Sequence, residues 1–161
     1  MTTNMYVLDI ETDGLLDQMT TIHCAVAKDY LSGEVTEFRP GEISDFADMI
    51  DGNVVIGHNV ISFDLPAIQR FHDVSPKMVI DTLVMSRLLN PDRERPEGLP
   101  QKVGPHSLKA WGYRLGMLKG EYGEQDNAWV DFNEDMLAYC AQDVHVTTEV
   151  YKALLKEMQD D

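Results

Sequence analysis

Two cysteines in 161 residues, Cys24 and Cys140, stand far apart and form no Cys-x-x-Cys pair. Neither a disulfide framework nor a zinc site is expected, and two buried, reduced thiols are favoured. No apolar run approaches the ~20 residues that span a bilayer. The N-terminal MTTNMYVLDIETDG lacks a basic start and carries carboxylates where a signal peptide needs apolar residues. The expectation is a soluble, cytoplasmic chain with no membrane partner. Basic residues are also scarce: 13 Lys and Arg face 28 Asp and Glu, for a net charge of −15. That balance repels phosphate at long range and argues against a nonspecific nucleic-acid coat protein.

The remaining composition is that of one compact domain spanning 1–161. Hydrophobic residues make up 43% of the chain, too many for global disorder. A chain of this length buries a core without staples. The scarce basic charge is uneven. Arg87, Arg93, Arg95, Lys102, Lys109, Arg114 and Lys119 are opposed only by Asp92, Glu94 and Glu97, a local net of +4. A solvated loop and helix face explains this stretch, and so does a track for a nucleic-acid strand; charge alone does not choose.

Periodicity sets the elements. Met5–Ile10, Thr20–Ala27 and Glu34–Phe38 read as strands, with a turn at Ser32-Gly33. Ile43–Ile50 has helical spacing. Val54–Ile56 and Met78–Ile80 are short buried strands. Phe63–Phe71 reads as a helix with Pro66 in its first turn. A further helix runs from about Asp81 to Leu89, capped by Asp81 or Thr82. Asn90–Pro105 holds four of the seven prolines and reads as a flexible surface loop. Ser107–Leu115 is a helix closed by Gly116. A polar loop, Lys119–Asp131, precedes a long helix capped by Asn133 and reaching about Met158. Its buried stripe is Met136, Cys140, Val144, Thr147, Tyr151 and Leu154. Three strands joined by short turns, then strands alternating with helices, predict an α/β fold: a mixed five-stranded sheet, three antiparallel strands then two parallel, flanked by helices.

Carboxylates are the chemically distinctive residues. Asp9 and Glu11, two apart in a strand, leave one face while Leu8 and Ile10 leave the other. Such a pair is repulsive and resists desolvation, and a divalent cation reverses both penalties. Alone, Asp9-x-Glu11 reads better as two acids on a strand that surfaces. Asp64, in HNVISFD (58–64), falls at a helix start, where an acid is commonplace. Asn59 suits a nucleotide or a water, and equally a bond to its own backbone. Tyr139 and Asp143, four apart, stack on one helix face. His145 lies about 200° around that helix from Asp143 and reads as surface or packing. Together, the four acids and the absence of clustered cysteine point to Mg²⁺ or Mn²⁺ rather than zinc. Four carboxylates suffice for two ions about 4 Å apart, the arrangement that displaces a phosphodiester in line.

Asp9-Ile10-Glu11-Thr12-Asp13-Gly14-Leu15, Asn59-x-x-x-Phe63-Asp64 and Tyr139-x-x-x-Asp143 resemble the three motifs of DEDD-type 3′–5′ exonucleases. Tyrosine at 139, with Ala138 where the histidine subclass carries its residue, marks the tyrosine subclass. IDTLVMSRLL (80–89), HSLKAWGYRLGMLKGEYG (106–123) and FNEDMLAYCAQDVHVT (132–147) are similar to the proofreading exonuclease domain of bacteriophage family A replicative DNA polymerases. The resemblance implies an RNase H-like fold. It also implies a two-metal active site that releases nucleoside monophosphates from single-stranded DNA. Asp9, Glu11 and Asp143 would hold the first Mg²⁺ or Mn²⁺, and Asp9, with Asp64 through water, the second. Tyr139 would orient the attacking water. A phenol titrates near 10, so it positions that water more than it deprotonates it. Thr12 would meet the terminal 3′ hydroxyl, Leu15 would wedge against the last base, and His58, Asn59 and Phe63 would line the strand. Proofreading polymerases continue far beyond this domain. Either this is a free-standing exonuclease, a monomer that works with a separately encoded polymerase, in host cytoplasm if phage-encoded, or it is a domain excised from a longer polymerase. A Met1 start and a charged Gln159-Asp160-Asp161 end lean slightly toward the first. The alternatives are an exonuclease that trims oligoribonucleotides and an inactive polymerase- or strand-binding domain.

Overall fold

The computed structural model describes residues 2–117 and 129–160. Lys119 and most of the predicted 119–131 loop lie outside the described residues. Five strands, β1 (Met5–Thr12), β2 (Ile22–Asp29), β3 (Val35–Phe38), β4 (Val54–Gly57) and β5 (Met78–Asp81), form one sheet in the order β3-β2-β1-β4-β5. β1–β2 and β2–β3 pair antiparallel, β1–β4 and β4–β5 parallel. The predicted mixed sheet is present, with β1 at its centre. The helices are α1 (Ile43–Ile50), α2 (Leu65–Gln69), α3 (Thr82–Leu89), α4 (Leu108–Leu115) and α5 (Glu134–Asp160). No described helix is long and apolar enough to cross a membrane.

Alternation along β1 divides the molecule into two cores. Leu8 and Ile10 pack with Phe46 and Ile50 of α1 and with Ala67 and Ile68 of α2. Val7, on the opposite face, packs with Cys24, Val26 and Ile56 and with Met136, Cys140 and Val144 of α5. A third cluster joins Trp111 of α4 to Val146, Val150 and Leu154 of α5. The predicted α5 stripe is buried at all six positions. α5 starts at its predicted cap, with the Met136 N–H donating to Asn133 Oδ1 at 2.9 Å, and α4 ends at Gly116 with φ 69°.

Several boundaries differ from expectation, three of them instructively. β1 runs two residues further, because Glu11 still pairs with Cys24 before the register shifts at Thr12. β2 starts at Ile22 rather than Thr20: the Thr20 and Thr21 amides donate to Asp13 Oδ1 instead of a neighbouring strand. The predicted 63–71 helix is split into a single π-helical turn over Val60–Asp64 followed by α2.

The proline-rich loop is irregular, as predicted, yet fastened. Arg93 donates to Glu157 at 2.9 Å, Arg95 to the Pro100 carbonyl at 2.8 Å and Arg114 to the Glu94 carbonyl at 2.8 Å. Arg93 and Arg114 also lie 4.7 and 4.9 Å from the Trp111 ring. Three of the seven residues in the basic stretch therefore hold the fold together, which favours the structural explanation of that charge at those positions.

Candidate active site

The acids arrive from three separate elements. Asp9 and Glu11 leave β1 on its α5 face, and Asp143 is buried on α5 opposite them. The Cys140 thiol, one turn before Asp143, donates to the Asp9 carbonyl at 3.3 Å and ties α5 to β1. One ligand atom from each of Asp9, Glu11 and Cys140 lies within 4.8 Å of the others. Asp64 comes from the opposite side. β4 pairs with β1 only as far as Val7, so the Ile10 N–H has no strand partner there. Asp64 Oδ2 accepts it at 3.2 Å. Asp64 makes no capping bond to the helix it precedes, so a helix-start role does not account for it.

Asp9, Glu11, Asp64, Tyr139 and Asp143 line one cleft of about 290 Å³ together with His58, Asn59 and Phe63. Eight of the ten expected site residues therefore meet in one place. The other two, Thr12 and Leu15, line an adjoining depression of about 370 Å³, which shares Ile10, Glu11, Phe63 and Trp129 with the cleft. Leu15 is 70% exposed there, a large apolar side chain left open to solvent among the described residues. The Thr12 hydroxyl donates to the Gly14 carbonyl at 2.6 Å and shapes the turn below it. The His58 ring nitrogens contact Thr82 Oγ1 at 2.8 Å and the His106 carbonyl at 2.9 Å, which holds the ring at the rim.

Burial dominates the electrostatics. It pushes the Asp9 carboxyl well above the ordinary carboxylate range, and the charges of Glu11, Asp143 and Asp64 push it further. Burial likewise raises Asp64 to about 8, against the opposing pull of the Ile10 amide and with added repulsion from Asp81 and Asp143. Asp9 Oδ2 is buried with no hydrogen-bond partner among the described residues. A buried, unsatisfied carboxylate oxygen facing other carboxylates is costly without a cation. The donor set, hard oxygens from four acids, fits divalent ions such as Mg²⁺ or Mn²⁺.

Two contributors carry little local signal. Trp129, in a polar stretch, borders both depressions and meets the Tyr139 ring edge-on at 6.0 Å. Its carbonyl is held at 2.9 Å by Nε2 of the buried His23. Leu108, at the start of α4, closes the cleft from below.

A family model described as 3′–5′ exonuclease matches residues 5–159. The chain belongs to the 3′–5′ exonuclease family. It is 37% identical to the DNA-directed DNA polymerase of Enterobacteria phage T3 and 36% identical to that of Escherichia phage T7, over 98% of its own length in each case. It spans only 27% of either polymerase. Among solved structures it resembles Brucella melitensis NrnC with bound Mg²⁺ (TM-score 0.72, 17% identity, 99% of this chain and 76% of that one). Escherichia coli RNase D, an exoribonuclease, follows the same fold (TM-score 0.66, 15% identity, 98% and 40%). The RNase H-like architecture expected of this exonuclease is the one these structures share.

Proposed function

We propose that this exonuclease domain hydrolyses the terminal phosphodiester at the 3′ end of single-stranded DNA and releases nucleoside monophosphates, as a proofreading activity in phage-type replication. The observation that carries the reading is the convergence of Asp9, Glu11, Asp64 and Asp143 from β1, the turn before α2 and α5 on one cleft. Asp9, Glu11 and Asp143 are the residues to hold one divalent ion, and Asp9 with Asp64 a second. Bound there, the ions supply activation of a water and neutralisation of the charge that develops on the leaving oxygen.

The chain's own residues bind and orient. Tyr139, held against Trp129, presents its phenol to the water and aligns it without removing its proton. Leu15, Phe63 and Trp129 offer the terminal base an apolar seat. Thr12 keeps acceptor capacity for the 3′ hydroxyl. Asn59 lines the path of the nucleic acid, and His58 contributes its ring face there. The working unit of this activity is the exonuclease domain over residues 1–161, acting as a monomer in the host-cell cytoplasm beside a DNA polymerase.

The fold shared with NrnC and RNase D supports a second reading, removal of nucleotides from short RNA. The greater similarity to DNA polymerases favours DNA. The intact acid set and Tyr139 argue against an idle strand-binding domain. Matched DNA and RNA oligomers, digested side by side with Mg²⁺ by wild type and by Asp9→Ala, test the proposal. DNA degraded faster than RNA, with the variant reduced more than about 100-fold, is the expected result. Faster loss of RNA favours the second reading. Equal digestion by wild type and variant refutes the assignment.

A further inference from the structure

The Asp81 carboxylate makes more contacts than a helix cap needs. It closes β5 and is buried, with its side chain at the start of α3. Oδ1 accepts the Leu83 N–H at 2.9 Å and, more weakly, the Val84 N–H at 3.4 Å, which is ordinary capping. Oδ1 also accepts the Asn59 N–H at 2.9 Å, and Oδ2 accepts the Ile61 N–H at 3.0 Å. Half of its bonds therefore go to a segment some twenty residues earlier in the chain.

That segment is conformationally unusual. Asn59 has φ 68°, the only non-glycine positive φ among the described residues. It opens the π-helical turn that ends on Asp64. Just before it, a Cβ at Gly57 would lie 2.8 Å from the Val60 Cβ, so the approach into the turn is tight. Left-handed backbone at a non-glycine residue persists only where its surroundings enforce it. Here two amides of the segment point at one buried carboxylate.

We infer that Asp81 is a positioning residue for the active site: it latches the 59–61 backbone to β5 and α3, and thereby sets the direction from which Asn59, Phe63 and Asp64 enter the cleft. This rests on the proposed role of the cleft. Asp81 lies outside the acid set that faces the nucleic acid, and it acts through the turn.

Asp81→Ser separates the latch from the cap. A serine hydroxyl caps α3, but one short side chain does not also hold the Asn59 and Ile61 amides. Asp81→Asn keeps the Oδ1 acceptor and turns an amide N–H toward the Ile61 N–H. Three readouts apply to both variants: site-resolved amide hydrogen exchange, Mn²⁺ binding by calorimetry, and kcat and KM on single-stranded DNA. For Asp81→Ser the expected result is faster exchange at Asn59 and Ile61 with Leu83 and Val84 still protected. Mn²⁺ should bind at least tenfold more weakly, and kcat should fall at least tenfold with KM changed less. Asp81→Asn should fall between this variant and wild type. Unchanged exchange at 59–61 overturns the latch. Faster exchange there with unchanged Mn²⁺ affinity and kcat overturns its link to the site. If wild type degrades no nucleic acid, the functional reading fails, while exchange and Mn²⁺ binding still decide the latch. Should Asp81→Ser fail to fold, Asp81→Asn is judged by the same criteria.

Discussion

At the scale of single residues, the cleft is built from groups that are unstable together until something compensates them. Asp64 illustrates the consequence. Its carboxyl titrates at about 8 in the folded chain, against about 4 when unfolded. The folded state therefore keeps a proton that the unfolded state has released. The contribution to metal-free stability is fully present below about pH 4 and is lost as the pH rises through about 8. The melting temperature of metal-free protein should fall between pH 5 and pH 8.5, and Asp64→Asn should flatten that slope. On the proposed function Mg²⁺ takes the ionised, folded site, so millimolar Mg²⁺ should raise the melting temperature, more at pH 8.5 than at pH 5. Thermal melts of both proteins across this range check the sign. Leu15 makes the opposite kind of prediction. It is 70% exposed, so Leu15→Ala should change stability by less than about 0.5 kcal/mol. On its proposed role as a seat for the terminal base, the same variant should raise KM for single-stranded DNA several-fold. Denaturant unfolding together with steady-state kinetics separates the two effects.

At the scale of elements, local chemistry made much of the fold legible. Ile43, Phe46, Ala47 and Ile50 mark α1 by spacing alone, and all four are buried. Ser107 and Gly116 bracket α4 as its side-chain cap and its left-handed stop. The Asp9/Glu11 alternation and the Tyr139/Asp143 spacing locate both faces of the acid cleft. The features missed from sequence depend on distant partners. The turn at 60–64 takes its shape from Asp81 and from the tight fit of Gly57 on Val60, and no local pattern announces either. β2 loses its first two expected residues to the Asp13 side chain, at the far end of the same loop. Trp129 acquires its place from Tyr139 and from a buried histidine on β2. Gly57→Ala tests how tightly the turn is set: the added Cβ meets Val60 at 2.8 Å, which should cost about 1–3 kcal/mol. Urea unfolding reads that loss. Activity should fall further than stability, because the shift passes directly to Asp64.

At the scale of the whole molecule, an exonuclease with a net charge of −15 must hold its substrate by short-range contacts. Arg39, Arg93, Arg95, Arg114 and Lys152 are engaged within the fold, which reduces the cations left for phosphates among the described residues. Proteins with six to ten phosphate contacts lose about 10³–10⁵ in affinity between 50 and 200 mM salt. This chain should lose less than about tenfold over that range, measured as KM or as binding of single-stranded DNA by a metal-site variant. Such weak holding fits the proposed proofreading role, in which a polymerase would deliver the frayed ends. The central claim concerns the acid cleft and the direction of cutting. Its most direct test is digestion of one single-stranded DNA, labelled at the 5′ or at the 3′ end, with Mg²⁺, by wild type and by Asp143→Ala. The account predicts a ladder of shortening 5′-labelled products, immediate release of the 3′ label as a mononucleotide, and neither in the variant. Release of the 5′ label first, or the same ladder from Asp143→Ala, would contradict it.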